Sequence, residues 1–151
     1  MLVGVISDTH GLLRPEAVAA LPGVLHILHA GDVGDAGILD RLGAIAPLTA
    51  IRGNVDREGR CSRLPETEMI ALEDRHIYML HDRNALDLDP VAAGVAVVIS
   101  GHSHQPGIEW KRGVLYFNPG SAGPRRFSLP VSLGFLELSA GAIEPRLLTI
   151  A

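Results

Sequence analysis

Cysteine, aromatic side chains, long apolar runs and excess positive charge are all scarce in this sequence of 151 residues, and each scarcity excludes something. The lone cysteine, Cys61, permits neither an internal disulfide nor a cysteine-rich zinc motif, which accords with a reducing compartment. Three Phe, two Tyr and one Trp are the only aromatic residues, so the core has to be built from Ala, Val, Leu and Ile. Lys and Arg number 13 against 17 Asp and Glu, a net charge of −4. That leaves no global basic field, and strong nucleic-acid binding by phosphate neutralisation is not expected. No apolar run approaches the roughly 18 residues that cross a bilayer, and the N-terminus lacks the basic start of a secretory signal. A soluble, cytoplasmic protein without a membrane partner is expected. What is present is 47% hydrophobic and 20% charged, which suits one folded domain over residues 1–151. The seven histidines outnumber the aromatics, and that excess asks for a chemical reason.

Leu2 to Ile6 reads as a strand buried on both faces, followed by the polar elbow Ser7-Asp8-Thr9-His10. Pro15 opens a short helix that Pro22-Gly23 closes. Val24 to His29 is a second strand, ending at Ala30-Gly31-Asp32. Between Asp35 and Ile45, the residues Ile38, Leu39, Leu42 and Ile45 recur at helical spacing. Leu48 to Ile51 is a third strand, ending at Arg52-Gly53-Asn54. Strand, elbow and helix thus repeat as parallel βαβ units. Arg57 to Glu66 reads as a loop, and Thr67 to Leu72 with His76 to Leu80 as a hairpin. A short helix is expected between Leu86 and Ala93, then a buried strand from Val95 to Ser100. The remainder reads as antiparallel strands: Ile108 to Lys111, Val114 to Phe117, Val131 to Leu138 and Ala142 to Ile150. Pro145 demotes the last of these to an edge.

Five apolar runs end in a tight turn that carries a possible metal ligand: Asp8-Thr9-His10, Gly31-Asp32, Gly53-Asn54, Leu80-His81 and Gly101-His102-Ser103-His104. Strand ends of one sheet lie along one edge, so residues distant in sequence can converge there. Carboxylates, imidazoles and an amide oxygen suit Mn²⁺, Fe or Zn²⁺. Two ions about 3.5–4 Å apart can clamp the attacking and leaving oxygens of a phosphoryl transfer.

These five motifs, in this order, resemble the signature of the calcineurin-like metallophosphoesterase superfamily, and most closely its small capless bacterial and archaeal phosphodiesterase branch. Asn118-Pro119-Gly120-Ser121 resembles a further turn of that branch. The resemblance implies an α/β fold of four layers, two packed mixed sheets flanked by helices, with a dinuclear site at one edge. It implies that Asp8, His10, Asp32 and His104 hold a first ion. Asp32, Asn54, His81 and His102 would hold a second, Asp32 bridging the two. Asp32, Asn54 and His102 would take direct part in catalysis. The cofactors implied are two divalent ions, Mn²⁺ foremost, with Fe, Zn²⁺ or Ni²⁺ as alternatives. A water shared by the two ions would lose a proton and attack phosphorus. The partner implied is a small phosphodiester, and members of the family often form small homo-oligomers.

Two positions depart from the pattern. Many of these phosphatases carry a His directly after the Asn, to protonate the leaving group, where this chain has Val55. A poor leaving group gains most from such an acid, so the departure favours a phosphodiester over a monoester. After His81, where Gly is common, this chain has Asp82. The leading expectation is therefore a metal-dependent phosphodiesterase. The alternatives are a protein-interaction scaffold, the role of the retromer subunit of this fold, and a phosphomonoesterase or nuclease. Arg125 and Arg126 are candidates either for a substrate phosphate or for a solvated loop. His26 and His76 read as ordinary strand residues. His29 could orient a ligand from behind, although a packed or solvent-touching histidine is the plainer expectation, and Asp56 reads either as a residue supporting a ligand from behind or as a loop residue.

Overall fold

A computed structural model describes all of residues 1–151, and its architecture follows from the apolar runs. β1 (Leu2–Ile6), β2 (His26–His29) and β3 (Leu48–Ala50) lie parallel, and β9 (Ser132–Ser139) and β10 (Ala142–Thr149) extend the same sheet antiparallel in the order β10-β9-β1-β2-β3. The second sheet takes β4 (Thr67–Leu72), β5 (Arg75–Leu80), β6 (Val95–Ile99), β7 (Gly107–Lys111) and β8 (Val114–Asn118) in the order β4-β5-β6-β8-β7. There β5, β6 and β8 are parallel, and β4 and β7 close the edges antiparallel. Two mixed five-stranded sheets therefore pack face to face, which is the metallophosphoesterase-like sandwich.

Strand pleating divides the core into layers. Val3 and Val5 of β1 point between the sheets, where they meet Leu28, Ile77, Met79, Ile99 and Phe117. Ile6 points the other way, into a layer formed with α1 (Pro15–Ala20) and α2 (Ala36–Gly43). A Cβ on Gly4 would stand 2.7 Å from Leu21 Cδ2, so the bare position lets Leu21 lie close against β1. Asp35 caps α2 by accepting the Gly37 N–H at 2.9 Å, and Ile38, Leu39 and Leu42 form its buried stripe.

The outer face of the second sheet is covered differently from the sequence reading. The helix expected between Leu86 and Ala93 does not form; a 3-10 turn at Arg83–Ala85 leads into irregular chain. Leu86 and Leu88, two residues apart, both pack on Tyr78, Leu80 and Val98, and that alternation belongs to extended chain. Pro90 removes a further helical N–H. The segment expected to be all loop, Arg57 to Glu66, contains a 3-10 turn, Gly59–Arg63, that seats Cys61 against the helical layer. The β4–β5 hairpin turns on Glu73 and Asp74, both at positive φ, as a two-residue turn between twisted strands requires. β10 with Pro145 is an edge strand, as its proline demands.

Candidate active site

The parallel strands of both sheets end on one side of the sandwich, and the elbows that follow them carry the polar residues. Asp8 is wholly buried. Its Oδ2 accepts from Ser7 Oγ at 2.6 Å and from the His102 backbone N–H at 3.0 Å, which ties the first elbow to the one after β6. Its Oδ1 is left without a hydrogen-bond partner and stands 3.3 Å from His104 Nε2, 3.6 Å from His10 Nε2 and 3.8 Å from His81 Nε2. Asp32 is held the same way. Its Oδ1 accepts the Val55 N–H at 3.0 Å, and its Oδ2 lies 3.4 Å from His10 Nε2 and 3.1 Å from His81 Nε2.

His81 Nδ1 is 2.7 Å from the Ala30 carbonyl, to which it can only donate. A proton is thereby placed on Nδ1, and the buried Nε2, without a hydrogen-bond partner, is the ring atom turned toward the carboxylates. His10 Nε2 and His104 Nε2 face each other at 3.3 Å. Buried orphan atoms are costly, and a cluster of carboxylate oxygens and imidazole nitrogens is satisfied together by a cation. Two sets of donor atoms each fall within 4.8 Å of one another, Asp8-His10-His104 and Asp8-Asp32-His81. The donor set therefore fits divalent metal, and it offers no thiolate.

Electrostatics agree with that geometry. Burial pushes the Asp8 carboxyl up, but the nearby His10 and His104 imidazoles and the Ser7 hydroxyl outweigh it and hold the group well below the usual carboxylate range. Asp32 is also lowered: burial opposes, and the nearby His81 imidazole and the Val55 N–H hydrogen bond prevail. For His81 burial lowers the pKa, while Asp32, Asp8 and the Ala30 carbonyl raise it further than burial depresses it.

Five of the seven residues singled out from the sequence, Asp8, His10, Asp32, His81 and His104, thus converge. His102 and Asn54 stand on the rim: the half-exposed His102 ring meets the His81 ring edge-on at 5.2 Å, and the exposed Asn54 lines a cavity together with His81. Asp8, His10, Asp32, His102 and His104 all have positive φ, between 45° and 67°, an uncommon conformation for residues with a Cβ. The elbows also need bare backbone. A Cβ on Gly101 would collide with Ser7 Oγ and come within 2.5 Å of Asp8 Oδ2.

Residues behind the cluster complete it. Asp56 accepts three backbone N–H groups, from Val33 at 3.1 Å, Gly34 at 3.0 Å and Gly53 at 2.9 Å, so it fastens the Asp32 elbow to the Asn54 elbow. His29 is fully buried; its Nδ1 accepts the Gly31 N–H at 3.1 Å, leaving Nε2 to donate to Thr9 Oγ1 at 3.0 Å. It supports the elbows without touching the cluster. Ser121 Oγ donates to the Asp8 carbonyl at 2.9 Å, a contact no local pattern in the sequence announces. Arg125 and Arg126 are exposed, and Arg125 Nη1 donates to Leu129 O at 3.3 Å. Cys61 is buried, and burial pushes its thiol up, which suits packing rather than attack.

Comparison with known proteins agrees with the fold. A probable metallophosphoesterase of Methanocaldococcus jannaschii is 41% identical over 134 residues, 80% of this chain and 68% of that protein. The phosphodiesterase YfcE of Escherichia coli K12 is 27% identical over 155 residues, covering 87% of this chain and 84% of that one. Among solved structures, a novel archaeal phosphodiesterase superposes with a TM-score of 0.81 at 23% identity, over 98% of this chain and 100% of that one. A zinc-complexed Vps29 from Entamoeba histolytica has the same fold, with a TM-score of 0.76 at 24% identity over the whole of both chains. Residues 1–141 match the calcineurin-like phosphoesterase superfamily domain. With its sandwich, its ordered elbows and a relative of 41% identity, this chain belongs to the calcineurin-like phosphoesterase superfamily.

Proposed function

We propose that this protein is a phosphodiesterase that works with two divalent ions, Mn²⁺ foremost. In this reading Asp8, His10, Asp32 and His104 hold one ion and Asp32, Asn54, His81 and His102 the other. The supporting observation is the pair of buried, unpartnered atoms Asp8 Oδ1 and His81 Nε2, turned toward one another at 3.8 Å. When bound, a pair of divalent ions supplies an acidified water as nucleophile and neutralises charge on the phosphate oxygens.

The chain's own contribution is to hold donors in place. Ser7 Oγ and the His102 N–H occupy Asp8 Oδ2, so Oδ1 is the atom offered inward. The Val55 N–H does the same for Asp32, whose Oδ2 lies between His10 and His81 and can serve both ion sites. The Ala30 carbonyl fixes the His81 tautomer. No ionisable side chain occupies position 55, so a leaving group departs without a proton from that side, which favours a diester or an activated ester.

The protein loaded with Mn²⁺ is expected to hydrolyse bis(p-nitrophenyl) phosphate, and Asp32→Ala and His102→Ala each to lower kcat/KM by two orders of magnitude or more. Hydrolysis no faster than that of His102→Ala sinks the reading. A scaffold is the competing role, since Vps29 shares the fold, and the existence of a zinc complex of Vps29 means that metal content alone does not separate the two. Turnover does.

A further inference from the structure

Two cavities, of about 490 and 540 Å³, open beside the cluster. Asn54, His81 and Tyr78 line the first; Gly101, His102 and Tyr116 line the second. Asp82 is the one residue that lines both, so it lies at the divide. It directly follows His81 at the end of β5. Its Oδ1 accepts the Asn84 N–H at 3.0 Å, and its Oδ2 is 3.8 Å from His102 Nε2, too long for a hydrogen bond. No Lys or Arg pairs with it.

The two cavities offer no other counter-charge. Arg52 is the one guanidinium on the first wall, and it is engaged with Glu66 at 2.9 Å. Arg83 is the one on the second, paired with Glu109 at 2.7 Å and stacked over the Tyr116 ring at 4.2 Å. Asp82 therefore presents an unneutralised carboxylate beside the imidazoles that face the proposed phosphate position.

We propose that Asp82 is a specificity-determining residue, a charge filter that makes the site prefer the monoanion of a phosphodiester to the dianion of a monoester. The inference rests on the reading that phosphate esters bind at this cluster. A monoester carries nearly one more negative charge at neutral pH than a diester. One added unit charge near a half-exposed carboxylate weakens binding on the order of tenfold. The cavities act in the same direction: a diester has two organic arms, one for each side of the divide, and a monoester has one.

The test compares Mn²⁺-loaded wild type with Asp82→Asn, which keeps an oxygen for the Asn84 N–H and so preserves the turn. The substrates are p-nitrophenyl phosphate and its methyl diester, which share a leaving group. The diester-to-monoester ratio of kcat/KM is expected to fall about tenfold in Asp82→Asn, through a lower KM for the monoester, with the diester little changed. The wild-type ratio is expected to approach the variant's at 1 M salt, where the screening length is about 3 Å. An unchanged ratio overturns the proposal, whether both rates persist or both fall together; a joint fall would make Asp82 a support for His102 only. Calorimetric binding of inorganic phosphate and of dimethyl phosphate separates this from the activity reading. Binding of both without hydrolysis of either sinks the phosphodiesterase and still reads the filter, as a roughly tenfold gain in phosphate affinity in Asp82→Asn. Binding of neither overturns both.

Discussion

His29 shows how a single residue couples burial to acid stability. It is fully buried, and burial, against the pull of Asp8, Asp56 and Asp32, lowers its pKa to about 4. In the unfolded chain it titrates near 6.5. The unfolded state therefore binds the extra proton first, and the stability that neutral His29 contributes is complete above pH 6.5 and lost as pH falls toward 4. The loss amounts to roughly 3 kcal/mol. In the metal-free protein, His29→Gln is expected to flatten the stability curve over that window, measured by urea unfolding at a series of pH values. Parallel curves for wild type and variant would show that His29 does not titrate there. Asp56 teaches a related lesson. A carboxylate that accepts three N–H groups from two elbows is not told apart in the sequence from a loop residue, because two of its partners, Val33 and Gly34, lie far back along the chain. His81, a lone histidine after a strand, gains its meaning only from the Ala30 carbonyl that sets its tautomer.

At the scale of the element, the unit is a parallel strand followed by a polar elbow, left-handed after β1, β2 and β6. The strands were legible because each is a short apolar run bounded by Gly or polar residues, and the outcome matched the runs at Leu2–Ile6 and Val95–Ile99 to the residue or nearly so. The segment Leu86 to Ala93 was not legible: its apolar residues are too few to separate helical from extended spacing, and the outer face of the second sheet decided between them. The elbows store conformational cost where the donors sit. His102 has φ 67°, a region where a Cβ costs about 1–2 kcal/mol. Glycine at an ordinary position is less stable than alanine by about 0.5–1 kcal/mol. At His102 the order should reverse, with metal-free His102→Gly about 1 kcal/mol more stable than His102→Ala in chemical unfolding. The ordinary order would contradict the left-handed elbow. Both variants are expected to lose activity together, since each removes the imidazole.

For the whole molecule, the cluster is a point where folding and binding are linked. Asp8 and Asp32 are buried carboxylates among imidazoles, so any ion that binds only the folded state stabilises it by mass action. At a free Mn²⁺ concentration 100 times the dissociation constant the gain is about 2.7 kcal/mol, which for a chain of this size raises Tm by about 5–10 °C. Thermal unfolding with chelator and then with Mn²⁺ should show that rise, and Asp32→Ala should abolish most of it; an equal rise in the variant would place the ion elsewhere. The sequence by itself determined the α/β class and the order of the elbows, because period, turn residues and ligand-bearing dipeptides are local. It also marked seven possible donors and the positions, Val55 and Asp82, where the resemblance breaks. Tertiary structure alone decided that Asp8, His10, Asp32, His81 and His104 form a tight cluster with His102 and Asn54 on its rim. It alone placed Asp82 on the divide between two cavities. The physical reason is the same in each case: convergence at a sheet edge depends on strand order and register, which join residues as far apart as Asp8 and His104 and leave no trace in the sequence around either one.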